Sequence, residues 1–183
     1  EEDKLHTILE AGRLAPSSLG SQPWRFIVIS NPELKAKIAP HAYNQPQVTE
    51  SSHLVILCAL TDFDEKYIDS HIDLTASIKG ISAADLAGYK DMLMGNTTNT
   101  ANWLKHQVFI PLGMMVMTAA ELKVDAAPMG GFNPQGIDEV LGLKEKGLTS
   151  VVLMGLGYRS EDDWAAKQPK VRWSEKEVII RMD

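Results

Sequence analysis

Polar and apolar positions change rhythm several times along the chain, and each change predicts an element. Leu5, Ile8, Leu9 and Gly12 share one helical face, so residues 2–13 predict an amphipathic helix. Residues 26–29 predict a short strand, and Asn31-Pro32 opens a helix with proline in its first turn. Residues 53–60, HLVILCAL, are apolar throughout and predict a central strand. Residues 64–94 are polar and helical in tendency, broken near 79–82, and predict an excursion over a surface. Residues 98–123 carry apolar side chains nearly all round, including Trp103, Leu104, Val108, Phe109, Ile110 and Met115. Such a helix is expected to be buried on every side, a second subunit supplying part of the cover. Asn133 and Pro134 open a helix over 133–141, residues 149–157 predict an interior strand, and residues 177–182 a last strand behind a polar tail. Helices alternating with few strands predict an α+β or three-layer sandwich around one sheet.

With neither repeat nor linker, residues 1–183 read as a single domain, long enough for a real core. A formal net charge of −6 argues against nucleic acid as a partner, so any bound phosphate needs a local cationic pocket. The single cysteine, Cys58, lies inside the apolar run LVILCAL; it can form no intrachain disulfide, and a cytoplasmic location is expected. The opening EEDKLHTILEAGRLA carries no signal peptide; it starts inside a helix pattern without methionine, and residues are expected to precede Glu1. The longest apolar run, 108–120, contains Pro111 and Gly113 and is too short to span a bilayer, so no membrane partner is expected. Asn96-Thr97-Thr98 matches a glycosylation acceptor and is read as a chance match.

The candidate chemistry starts with exclusions. Histidines 6, 41, 53, 71 and 106 have no paired spacing, and no metal site is expected. Ser17 and Ser18 stand outside any Gly-x-Ser-x-Gly elbow. GLGYRS, 155–160, is an incomplete dinucleotide fingerprint and reads better as a strand-end turn. In PMGGF, 128–132, adjacent glycines would let the backbone approach a ligand, although a connecting turn explains them as well. In PKVRW, 169–173, Lys170 and Arg172 point to one side of an extended chain; they suit a phosphate monoester or simply a solvated turn.

Taken in order, PSSLGSQPWRF, an apolar helix, PMGGF, an apolar strand and PKVR resemble the FMN-dependent nitroreductase family over nearly the whole chain. The phrase GLKEKGLTSVVLMGLGYRSEDDW, 142–164, strengthens the likeness. The resemblance implies a three-layer α/β/α sandwich with a mostly antiparallel sheet, in a domain-swapped homodimer with FMN at its interface. It implies that Pro16, Ser17 and Ser18 touch the flavin held mainly by the other subunit, with Gly20 and Gln22 nearby and Trp24 packing the loop. Asn44 and Gln47, in AYNQPQV, match positions at the flavin ring edge. Pro128, Met129, Gly130 and Gly131 form a further cofactor segment, the Gly130 N–H directed at flavin N5. Lys170 and Arg172 match a phosphate clamp, and Tyr89 an aromatic position over the substrate pocket.

The chain departs from relatives at Gln47, where lysine is common, and at Gly130, where glutamate is common; the family's early basic motif would lie before Glu1. The implied activity is ping-pong transfer of a hydride from NADH or NADPH, through FMN N5, to small-molecule acceptors such as nitroaromatics, quinones or flavins. The alternatives are a flavin-binding module without turnover and a specialised reductase, dehalogenase-like, on the same fold.

Overall fold

The computed structural model describes residues 1–95 and 100–182. Its first half holds α1 (Glu2–Arg13), β1 (Trp24–Ile29), α2 (Pro32–Ile38), α3 (Pro46–Glu50) and β2 (His53–Leu60). Helices α4 (Glu65–Lys79) and α5 (Ala87–Met94) form the polar excursion, followed by the long α6 (Thr100–Glu121). The chain continues through β3 (Asp125–Met129), α7 (Pro134–Leu141), β4 (Leu148–Gly157) and the one-turn α8 (Glu175–Val178).

The four strands form one sheet in the order β1-β2-β4-β3, every neighbouring pair antiparallel. Alternation along β2 feeds two cores. Val55, Leu57 and Ala59 face a cluster with α1, α4 and α6, while Leu54, Ile56 and Cys58 face one with α2 and α7. The result is an α+β sandwich of helices, sheet and helices. Burial of Cys58, and secondarily the nearby Asp138 carboxylate, pushes its thiol up to about 12, so it is an inert core side chain.

Local signals behave as their chemistry dictates. Asn31 caps α2 by accepting from the Leu34 N–H at 2.8 Å, and Asn133 caps α7 by accepting from the Gly136 N–H. On α1, Ile8 and Gly12 are buried; a Cβ on Gly12 would run into the Met115 side chain, so α1 and α6 approach closely. Among the described residues no helix is long and apolar enough to cross a membrane.

Two expectations are corrected, for residues 125–129 and for residues 177–182, and two further findings concern α3 and α6. PMGGF is not only a turn, because Asp125–Met129 is a strand; Pro128 is tolerated there because β3 lies at a sheet edge. The short helix α3 arises within the AYNQPQV loop, with Pro46 at its start. Within one chain α6 is buried on one face only, by Leu104, Val108, Leu112, Met115 and Ala119. Its opposite face carries Phe109, Ile110, Met114 and Met117 exposed. Residues 177–182 form no strand. Ser174 donates its N–H and hydroxyl to the Glu177 carboxylate at 3.1 and 2.7 Å, which nucleates a helical turn where no neighbouring strand offers a ladder. Thr98 and the Asn96-Thr97-Thr98 acceptor reading lie outside the described residues.

Candidate functional site

The loop between α1 and β1 is a tight knot of backbone. Leu19, Gly20 and Gln22 all have positive φ, at 54°, 63° and 46°. Its hydrogen bonds are nearly all internal or to braces from elsewhere. The Ser17 carbonyl accepts from Gly20 N–H at 3.0 Å, and the Ser17 hydroxyl oxygen accepts from Gln22 N–H at 2.9 Å. The Ser18 carbonyl accepts from Ser21 N–H at 3.1 Å and from the Ser21 hydroxyl at 2.8 Å. Ser18 N–H donates to the buried Gln107 side chain of α6 at 2.7 Å. With so much backbone engaged, the loop presents exposed Pro16, Ser18, Gly20 and Gln22 to the outside, with Ser17 half-buried. Trp24 is buried at the start of β1, as its packing role requires.

Helices α4 and α5 hold this loop from the side. The Tyr67 hydroxyl shares its one proton between the Ser21 and Gln22 carbonyls, at 2.8 and 3.0 Å, and the Gln22 carbonyl also accepts from the Trp24 N–H at 2.8 Å. The Tyr89 hydroxyl donates to the Leu19 carbonyl at 2.6 Å and meets His71 Nε2 at 3.0 Å. A phenol has one proton, and the bond to Leu19 uses it, so His71 Nε2–H is the donor to Tyr89. Burial raises both phenols above their usual range and keeps them protonated. Tyr89 thus serves the loop with its hydroxyl, which is not free for a substrate.

A second cluster gathers AYNQPQV and the segment after β3. Tyr43 and Asn44 are both left-handed, at φ 53° and 52°. The Gln45 amide nitrogen donates to the Gly131 carbonyl at 2.8 Å, and Asn133 N–H donates to the His41 carbonyl at 2.7 Å. A Cβ on Gly136 would enter the His41 ring, and the Tyr43 ring lies 3.9 Å from a Cβ at Gly131. A Cβ at Gly130 would meet nothing within 4 Å, so its backbone faces open space. Asn44, Gln47, Pro128, Gly130 and Gly131 are exposed, whereas the Met129 side chain is buried in the second core and can offer a ligand only its backbone. Buried Lys35 donates to the Ser51 carbonyl at 2.5 Å and ties down the end of α3, which carries Gln47. Gly155 is a packing glycine: its Cβ would stand 3.1 Å from the Gln47 carbonyl oxygen, so GLGYRS serves strand packing.

The serine loop and Gln47 sit at opposite ends of β2, while Gly130 and Gly131 follow β3 at the other edge of the sheet, where Met129 is level with Ile56 through Leu153. Trp24, just after the serine loop, pairs with Ala59, whereas Gln47 packs on Gly155, the partner of Leu54. Five strand residues separate those ends by roughly 17 Å. Lys170 and Arg172 join neither cluster within the chain. They lie on a tail, 158–182, that is exposed at every residue except half-buried Asp163. Among the described residues neither forms an ion pair; the Arg172 guanidinium bonds only to the Val171 carbonyl, at 2.7 Å. The tail leaves the body through a fork in which Arg159 N–H and Nε–H donate to the two Asp125 oxygens at 2.9 and 2.8 Å. This pairing holds the Asp125 carboxyl below the usual carboxylate range. Among the described residues no group of three His, Cys, Asp or Glu is gathered as for a metal ion.

Sequence reasoning missed Gln107, Tyr67, His71 and Gln45. Gln107 carried a signal, a polar side chain inside the apolar α6 run; the others are visible only once the chain is folded.

The chain matches the model of the Nitroreductase family over residues 1–158. It is 33% identical over 185 residues to an oxygen-insensitive NAD(P)H nitroreductase of Salmonella typhimurium, covering 94% of this chain and 84% of the relative. It is 29% identical over 190 residues to the major NAD(P)H-flavin oxidoreductase of Aliivibrio fischeri, covering 97% and 87%. Among solved structures it resembles the FMN complex of an Exiguobacterium sibiricum protein assigned as a nitroreductase. That likeness has a TM-score of 0.79 and 27% identity, covering 100% of this chain and 87% of the other.

The His71 environment yields a pH prediction. Burial lowers its pKa from the ordinary histidine range, so the folded chain takes up a proton less readily than the unfolded one. The associated stability is full above about pH 6.5 and is lost as pH falls through the folded value. His71→Gln keeps an N–H donor to Tyr89 but cannot titrate. Melting temperature between pH 7.5 and 5.5 should therefore fall more steeply for the parent than for the variant, and equal slopes would contradict the assignment.

Proposed function

Because the chain belongs to the nitroreductase family, we propose that it is an FMN-dependent NAD(P)H oxidoreductase reducing nitroaromatics, quinones or flavins. The observation that carries the reading is the Gln45–Gly131 tie, which brings AYNQ beside a Gly-Gly turn whose Gly130 is open to a flat ligand. The residues present fit FMN. A planar ring needs unobstructed backbone at one edge, and a phosphate needs cations without competing carboxylates; Gly130 meets the first need, and Lys170 with Arg172 meets the second.

When bound, FMN supplies the two-electron hydride chemistry between NAD(P)H and the acceptor. The chain's part is placement. Gly130 offers its N–H at the N5 edge, with Gly131 leaving room beside it. Asn44 and Gln47 address the pyrimidine edge, Gln47 with a hydrogen bond and no charge. Pro16, Ser17, Ser18, Gly20 and Gln22 of a second copy would close the ring from its other side, since within one chain the serine loop enters β1 and the Gly-Gly turn leaves β3 at opposite edges of the sheet. The protein is on this reading a homodimer. The uncovered face of α6, with Phe109 51% and Met117 62% exposed, is the natural seat for the second subunit, and the apolar tail reaches across to it.

Steady oxidation of NADH or NADPH by FMN-loaded protein, with menadione or a nitrofuran as acceptor, is the direct test. Parallel double-reciprocal lines are expected, as one pocket serves both reactants in turn. Protein that holds FMN but does not turn over would be a binding module instead, a reading favoured by the missing charges at Gln47 and Gly130.

Arg172→Ala should weaken FMN about ten- to a hundredfold but riboflavin little, because only FMN offers a dianion to the guanidinium. Isothermal titration with both flavins decides it, and equal losses would place the phosphate elsewhere. Deleting residues 174–183 should yield aggregated or flavin-free protein. A well-folded, FMN-bound monomer in sedimentation would overturn the dimeric site.

A further inference from the structure

The serine loop holds a shape that its own sequence does not favour. Leu19 and Gln22 are non-glycine residues at positive φ, and such residues persist only where the surroundings over-determine them. Three carbonyls of that loop, those of Leu19, Ser21 and Gln22, accept from two phenols of the polar excursion. The excursion is itself locked. Lys90 of α5 pairs with Glu65 and Asp69 of α4 at 3.1 and 2.5 Å, and Phe63 packs against Tyr67 with ring centroids 5.5 Å apart. His71 donates to the Tyr89 oxygen and leaves the phenolic proton aimed at Leu19.

We propose that helices α4 and α5 buttress the serine loop, with Tyr67 and Tyr89 as positioning residues that fix its left-handed turn for the flavin. The proposal rests on the flavoenzyme reading, in which that loop closes one side of the cofactor. Neither phenol touches the reacting atoms in this role; each acts through a main-chain carbonyl. Ring packing and hydroxyl bonding separate cleanly, because phenylalanine keeps the first and loses the second. Removing the Tyr67 hydroxyl leaves the carbonyl of buried Ser21 without its donor, although that of Gln22 keeps the Trp24 N–H, and removing the Tyr89 hydroxyl takes the donor from the carbonyl of half-buried Leu19.

Tyr67→Phe, Tyr89→Phe and the double variant test it, with Tyr158→Phe as control, since that phenol bonds Lys4 and Glu1 away from the loop. In flavin-free protein, amide exchange at residues 18–22 should quicken by about tenfold in each loop variant, while residues 54–59 of β2 keep their protection. In FMN-loaded protein the same variants should bind FMN about tenfold more weakly and change the visible circular dichroism of the bound flavin. Tyr158→Phe should match the parent in both arms. Parent-like loop exchange together with parent-like FMN affinity in the double variant would overturn the buttress. Quickened exchange spread equally over β2 would also overturn it, showing a general loss of stability. A parent that takes up no FMN would instead overturn the flavoenzyme reading, and the exchange arm would still decide whether the phenols hold the loop.

Discussion

Strand β2 sets the distances on which everything else depends. Its residues from Leu54 to Ala59 are all fully buried, alternately against two separate helical layers. A one-residue slip would exchange the two faces, so its register against β1 and β4 is fixed by packing on both sides. The strand is therefore a stiff spacer. The serine loop enters the sheet at one end, Gln47 is packed at the other, and the Gly130-Gly131 turn follows β3 at the edge of the sheet opposite β1. Three inter-strand spacings, roughly 14 Å, separate β1 from β3, and the function proposed above therefore draws the serine loop from a second copy.

Much of the fold was legible because the strongest signals are local. The apolar run of β2, the Asn-Pro openings of α2 and α7 and the stripe of α1 all express periodicity or capping that tertiary contacts reinforce. The failures share a different cause. Residues 125–129, DAAPM, have poor strand composition and form a strand only because β4 offers an edge. Residues 177–182 have good strand composition but no partner in the chain, so the Ser174–Glu177 capping box decides locally. In α6 the all-round apolar pattern records both what this chain covers and what it leaves bare.

The site was legible in its motifs more than in its mechanics. Family likeness drew attention to PSSLGSQPW, AYNQPQV and PMGGF, and folding ties the last two together through Gln45 and His41. What the sequence could not display were the supports. Tyr67 and Tyr89 stand 46 and 70 residues from the carbonyls they hold, of Ser21 and Leu19, and no local pattern encodes such a pairing. Met129 shows the reverse case, a motif residue whose side chain is spent on the core.

The fork between Arg159 and Asp125 has a mechanical meaning for the tail beyond it. A chain segment clamped at one point on a rigid sheet has a fixed origin and heading, so its free end searches a bounded volume. Fully extended, a segment running from Ser160 to Met182 reaches on the order of 70 Å. Within that radius its local concentration at a neighbouring surface is set by tether geometry, independent of how dilute the protein is. In the homodimer proposed above, each tail would find its seat as an intramolecular event once two subunits have met, and the pair would be held by two tethers that must both let go before it separates.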